Sequence, residues 1–314
     1  MFRFVFSIGF FLFFFALPTP TVAKPHLPVA AHTAESKLWG NNFTEIKSFE
    51  TVCFFPKKEP VKKIEEQEQT ATLPTWLEYA VPVPDAPEDA PMIAIVIDDL
   101  GLNRSLTRAT LSLPAPITAS FLSYADDLPE QTEKARLNGH ELLLHAPMEP
   151  LNPRFDPGPD ALRSEMSIEE ITRNLEKMLN SFNGYVGINN HMGSKFTSDK
   201  QAIAVVMDEL EKRGLLFLDS LTSGKSMAWK QARDRHIPYA VRDVFLDNAH
   251  NEEDILKQLA LLEKHALKSH TAVAIGHPHK ETINALKKWI PQAKAKGFVF
   301  VPISMIALIR QDAF

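Results

Sequence analysis

From Met92 onward the chain alternates short apolar runs with amphipathic stretches. Ile93-Ala94-Ile95-Val96-Ile97 is continuous and rich in β-branched residues, which suits a strand buried on both faces of a parallel sheet. The same reading predicts strands at 117–122, 141–144, 185–188, 215–218, 239–246, 272–275 and 298–302. Helical spacing lies between them. Ser167 precedes Glu169-Glu170 and an apolar face of Ile168, Ile171, Leu175, Met178 and Leu179. Ser198-Asp199 opens a second such stretch, and 252–267 and 280–295 make two more. A capping residue, early carboxylates and a spaced apolar stripe are the ordinary signals of a helix start. About eight strands separated by helices predict one α/β domain, either a closed barrel or an open doubly wound sheet.

The first ninety residues follow a different rule. Arg3 precedes an almost wholly apolar run from Phe4 to Leu17, and Pro18, Pro20 and Ala23 follow. This is the pattern of a secretory signal peptide over 1–23, with an uncleaved membrane anchor as the alternative. The run is shorter than the roughly 20 residues of a spanning helix. Export is expected, and a bacterial periplasm suits the chain. Residues 24–90 carry the charged tract Lys62-Lys63-Ile64-Glu65-Glu66-Gln67-Glu68 and the proline-rich stretch from Val81 to Pro91. Such a segment has little to bury and predicts a mostly disordered tether. Phe54-Phe55 and Trp76-Leu77 are its candidates for docking.

Composition narrows the chemistry. A net charge of -5 without a basic stripe argues against a nucleic-acid partner. Cys53 is the single cysteine, so neither an internal disulfide nor a thiolate metal site can form. Any metal must be held by His, Asp or Glu.

Polar residues sit where the predicted strands end. Asp98-Asp99, His145, Asn189-Asn190-His191, Asp219, Asp247 and His277 each follow an apolar run. In α/β barrels these ends form the reactive face, so the side chains would converge. Singly, each has a structural alternative as a cap, a turn or a satisfied histidine. Two adjacent carboxylates after a buried strand are harder to explain without a cation, because both cannot ionise cheaply at low dielectric. Oxygen and imidazole donors suit zinc first, and also Mn²⁺, Fe²⁺, Co²⁺ or Ni²⁺.

Five segments then resemble, in order, a known family. They are Ile95-Val96-Ile97-Asp98-Asp99-Leu100-Gly101, His145-Ala146-Pro147-Met148-Glu149, Asn189-Asn190-His191-Met192-Gly193-Ser194, Phe217-Leu218-Asp219-Ser220 and Gly276-His277-Pro278-His279. The family is the divergent polysaccharide deacetylases, related to NodB-type carbohydrate esterases. The resemblance covers 91–307 and implies a distorted (β/α) barrel domain (91–314) of about seven parallel strands. It implies a hydrolase with Asp98 as catalytic base, Asp99 and His145 as metal ligands and His277 as general acid. Asp219 either orients His277 or caps a turn. Where the deacetylases carry a second histidine four residues after the first, this chain has Glu149. The third ligand is then Glu149 or His191, and His191 is preferred because imidazole replaces imidazole. Arg242, Asp243 and Asp247 are weaker candidates, and no counterpart of the arginine-proline motif is present. The implied substrate is an acetylated polysaccharide or peptidoglycan-type glycan. A barrel that binds a glycan or an envelope protein without catalysis is the alternative. A phosphoesterase ranks below both, since Arg104, Lys195 and Arg242 are the few basic residues near strand ends.

Overall fold

The computed structural model describes residues 73–83, 87, 89–114 and 116–312. The signal segment and most of the tether expected from the sequence lie outside these residues. The strands are β1 (Met92–Leu100), β2 (Thr118–Leu122), β3 (Glu141–Met148), β4 (Gly187–Met192), β5 (Leu216–Asp219), β6 (Tyr239–Val241), β7 (Val244–Phe245), β8 (Thr271–Gly276) and β9 (Val299–Phe300). The helices are α1 (Thr75–Glu78), α2 (Arg104–Thr110), α3 (Leu128–Leu137), α4 (Ile168–Leu179), α5 (Lys200–Arg213), α6 (Ala228–Asp234), α7 (Glu252–Ser269), α8 (Lys280–Ala295) and α9 (Ile303–Asp312).

Eight strands run in the order β6-β5-β4-β3-β2-β1-β8-β7, with β9 paired to β1. Every pairing is parallel. The two ends of that order, β6 and β7, are separated by only Arg242 and Asp243 in the chain. The sheet must therefore curl until its edges nearly meet, and this is the distorted barrel. Its strand count is eight in sequence of pairing, against the seven implied by resemblance. The run 239–246, expected as one strand, divides because its halves bond to opposite edges: β6 to β5 and β7 to β8.

Side-chain direction alternates along a strand. In β1, Ile93, Ile95 and Ile97 join the core beneath the helices, while Ala94 and Val96 join a second core on the concave face. That inner core also takes Leu143 of β3, Leu216 and Leu218 of β5, Ala240 of β6, and Val273 and Ile275 of β8. Ile303, Ile306 and Ala307 of α9 cover it. The first turn of α9 is tied to strand starts: Thr118 Oγ1 accepts from Ile303 N at 3.0 Å, and Glu141 Oε1 accepts from Ser304 N at 3.0 Å. These bonds satisfy backbone donors that a helix start leaves free.

Glu141 is consequently a buried carboxyl. Burial pushes it up to about 7, against the hydrogen bonds from Ser304 and Val81 N. A folded-state value above the ordinary 4.5 means that folding binds this proton more tightly. Its stabilising contribution is complete below the unfolded value and is lost as pH rises through the folded one. The shift corresponds to about 3 kcal/mol. Urea unfolding at pH 4.5 and 7.5 should show that loss in the native chain and not in Glu141→Gln. Equal slopes in both chains would assign the dependence elsewhere.

Part of the expected tether is packed. Trp76 of α1 is buried in the inner core, and its backbone N–H donates to Gly214 O at 2.9 Å. Packed residues thus extend N-terminally of Pro91, into the segment expected as a tether. The apolar Trp76 side chain has more to gain from the concave core than from water. Trp76→Ala should lower the unfolding free energy by about 3–5 kcal/mol. A change below 1 kcal/mol in a urea titration would show that α1 is dispensable.

Candidate metal centre

The concave face ends, at the C-terminal side of the strands, in a polar layer. Alternation decides its membership. Asp98 continues the inward series of Ala94 and Val96, His145 that of Leu143, His277 that of Val273 and Ile275, and Arg242 that of Ala240. Asn189 is drawn in by register, opposite His145. The residues expected just after strands lie largely within them, since β1 runs to Leu100, β3 to Met148 and β4 to Met192. The polar layer lines a cavity of about 790 Å³, with Arg242, Phe245 and Leu261 on its wall.

Two adjacent residues of a regular strand point to opposite faces. Asp98 and Asp99 escape this rule. The pairing of β1 with β2 shifts register between Ile97 and Leu100, and Asp99 adopts φ 56°. A bulge of this kind re-aims a side chain, and both carboxyls reach the cavity. Met192 and Leu221, at the ends of β4 and β5, also have left-handed backbones, φ 53° and 47°. Such conformations are held at a cost of order 1–3 kcal/mol each and gather at functional sites.

Asp99 Oδ1 lies 2.9 Å from His191 Nδ1 and 3.3 Å from His145 Nε2, and these nitrogens are 3.3 Å apart. Oδ1 is buried, yet among the described residues it has no partner in hydrogen-bond geometry. Three donor atoms thus face one point. Zinc bonds of about 2.0–2.1 Å in tetrahedral array set neighbouring donors roughly 3.3–3.4 Å apart, so the residues present fit the ion. Electrostatics agree. Burial opposes ionisation of Asp99, but His145 and His191 outweigh it and hold the carboxyl far below its usual range. Burial likewise opposes charge on His145, but Asp98 and then Asp99 raise its pKa. A proton on His145 would balance part of the charge that a divalent cation would balance, and metal binding would release it.

The third converging donor atom lies on His191 and not on Glu149. Glu149 is turned to Lys195 Nζ at 2.7 Å and to Ser164 N at 2.9 Å. Pro147 keeps this segment in a strand, where residues four apart are separated by about 13 Å, not the roughly 6 Å of a helix face. A strand cannot bring two such residues to one ion. The neighbouring strand can, because β4 lies beside β3 and pairs His191 with Pro147.

Asp98 and His277 flank the triad. Asp98 Oδ2 is 3.6 Å from His145 Nε2, and His277 Nε2 is 4.0 Å from Asp99 Oδ2. His277 Nδ1 donates to Asp247 Oδ1 at 2.9 Å, and Asp247 Oδ2 accepts from His277 N and Thr282 Oγ1. Burial disfavours the charged imidazole, but Asp247 prevails and pushes it up to about 9. Asp247, His277 and His279 also lie close enough to hold an ion. The Asp247 carboxylate, however, is already committed on both oxygens, to His277 and Thr282.

Asp219 does not orient His277. It shares the outward face of β5 with Phe217, and its oxygens accept from Leu221 N, Ser226 Oγ and Trp229 N. It caps the turn into α6, and the role belongs to Asp247. Arg242 donates to Ser220 O and Leu221 O, holding the rim between β5 and β6. His140 is a structural histidine, bonded to Leu111 O and Ile117 N. Ser120, which no apolar-run signal singles out, bonds Asn189 at 2.6 Å.

The chain is similar to several known proteins. Over 205 residues the chain is 38% identical to YibQ, an uncharacterized protein of Escherichia coli, spanning 65% of this chain and 64% of that one. An uncharacterized protein of Haemophilus influenzae is 33% identical over 196 residues, 62% of this chain and 69% of its own. The crystal structure of an uncharacterized protein from Agrobacterium tumefaciens superposes with a TM-score of 0.72 at 31% identity, covering 74% of this chain and 95% of that chain. The sequence profile of the divergent polysaccharide deacetylases matches residues 95–307, from the middle of β1 into α9 and across every residue of the triad. The chain belongs to the divergent polysaccharide deacetylase family.

Proposed function

We propose that this protein is an exported, metal-dependent deacetylase of an envelope glycan. The observation that carries the reading is the convergence of Asp99 Oδ1, His145 Nε2 and His191 Nδ1, with Asp98 and His277 on either side. Asp99, His145 and His191 would hold zinc, which when bound supplies a water of lowered pKa and polarises the acyl carbonyl. Asp98, beside the triad, would accept a proton from the attacking water as the new C–O bond forms. His277, held protonated by Asp247, gives a proton to the departing sugar nitrogen or oxygen as the acyl bond breaks. The products are acetate and a free amine or hydroxyl. Family membership supports a glycan as substrate, and the N-terminal apolar segment supports an envelope location.

The test is acetate release from acetylated chitooligosaccharides and from peptidoglycan. The purified protein is assayed as isolated, after chelation, and after zinc is restored. Release that disappears with chelation and returns with zinc is expected. A protein that takes up no stoichiometric metal and releases no acetate from either glycan would leave the non-catalytic binding barrel as the better reading.

A further inference from the structure

Asn189 is fully buried and stands at the meeting point of four groups. Its Nδ2 donates to Asp98 Oδ1 at 2.8 Å and to Ser220 Oγ at 3.2 Å. Its Oδ1 lies 2.6 Å from Ser120 Oγ and 2.9 Å from His145 Nδ1. The two ends of an amide differ chemically, and Asp98 decides which way this one faces. A carboxylate only accepts, so the amide nitrogen must be the end directed at it. The oxygen then faces Ser120 and His145, and both must donate. His145 therefore carries its proton on Nδ1. In the neutral ring its Nε2 is then left bare, aimed at Asp99 and His191.

We infer that Asn189 is a positioning residue that couples the two halves of the site, holding Asp98 in place with its nitrogen while selecting, with its oxygen, the His145 tautomer that can bind a metal. The inference rests on the metal-hydrolase reading for its catalytic half only. The tautomer is a property of the protein without metal. Among the described residues, neither Asn189 nor Asn190 bonds His191. Asn190 instead accepts from Ser220 N and donates to Met192 O, bracing the turns after β4 and β5.

Two substitutions separate the halves. Asn189→Asp retains an acceptor for Ser120 and His145 but loses the donor to Asp98. Asn189→Leu is close in shape and loses both. The ¹H–¹⁵N spectrum of the histidine rings is recorded on metal-free full-length protein at alkaline pH, zinc affinity is measured against a chromogenic chelator, and acetate release is followed on chitooligosaccharide. The Nδ1–H tautomer of His145 is expected in the native chain and in Asn189→Asp, and a mixture in Asn189→Leu. Zinc affinity should stay within about 3-fold in Asn189→Asp and fall roughly 10–100-fold in Asn189→Leu, the usual range for losing a group that orients a ligand. Acetate release should fall by about 10²-fold or more in Asn189→Asp despite the retained zinc. An Nε2–H tautomer in the native chain overturns the inference whatever the activity, and so does equal zinc affinity in the native chain and Asn189→Leu. Should Asn189→Leu fail to fold, the native and Asn189→Asp spectra still decide it. Zinc binding with the expected tautomer but no acetate release would remove the deacetylase reading and leave the ligand-orienting half standing.

Discussion

Asp98→Asn is expected to lower acetate release by about 10²–10⁴-fold, the usual contribution of a general base, while zinc still binds at native affinity. The separation follows from geometry. Asp98 is beside the triad but not one of its three converging atoms; its nearest approach is 3.6 Å to His145 Nε2. An asparagine in its place still offers an oxygen to Asn189 Nδ2, so the amide and the His145 tautomer should hold. What disappears is the capacity to accept a proton from water. Parallel zinc titration and acetate assays on the variant would check this. If zinc affinity fell together with the rate, Asp98 would have to be counted among the ligands, and the base would have to be sought elsewhere.

Asp99→Asn should show the opposite order of effects. Zinc affinity falls first, by roughly 100-fold or more, and activity follows it. A four-ligand zinc site is worth about 10–16 kcal/mol, so one ligand carries on the order of 3 kcal/mol, and each 1.4 kcal/mol is about tenfold. Asparagine is the informative substitution because position 99 has φ 56°, a conformation that asparagine tolerates better than most residues. The backbone is preserved while the charge between His145 and His191 is lost. Competition with a chelator of known affinity measures the change, and excess zinc should restore part of the rate. An unaltered zinc affinity would remove Asp99 from the centre, and the triad with it.

Much of this site could be read before any tertiary structure, and particular residues show why. Asp98-Asp99 stands out because two adjacent carboxylates after an apolar run conflict electrostatically. Pro147 already argues against a helical turn after His145, although the sequence left the third ligand between Glu149 and His191. Asp219 and Asp247 show the limit. Both follow an apolar run ending in leucine, and nothing local separates them. Only one touches a cavity-lining group: Asp219 is paired in direction with Phe217 on the outer face, whereas Asp247 bonds His277. In a run such as Leu215-Leu216-Phe217-Leu218 every position is apolar, so the period of two leaves no mark on composition. Asn189 was visible as a strand-end residue, but its four partners come from β1, β2, β3 and the end of β5.

The order of strands and helices, the capped start of α4 at Ser167, the absence of thiolate ligands and the identity of the residues at strand ends were determined by the sequence itself, because each depends on neighbours a few positions away. Tertiary structure alone decided that β4 lies beside β3, which puts His191 within reach of His145. It also decided that the segment 239–245 joins the two sheet edges, that a bulge turns Asp99 to the side of Asp98, and that Asp247 rather than Asp219 holds His277. These outcomes depend on pairing register and on which face of a wholly buried strand meets the cavity. Both are set by contacts between residues far apart in the chain, where a one-residue shift reverses every side chain.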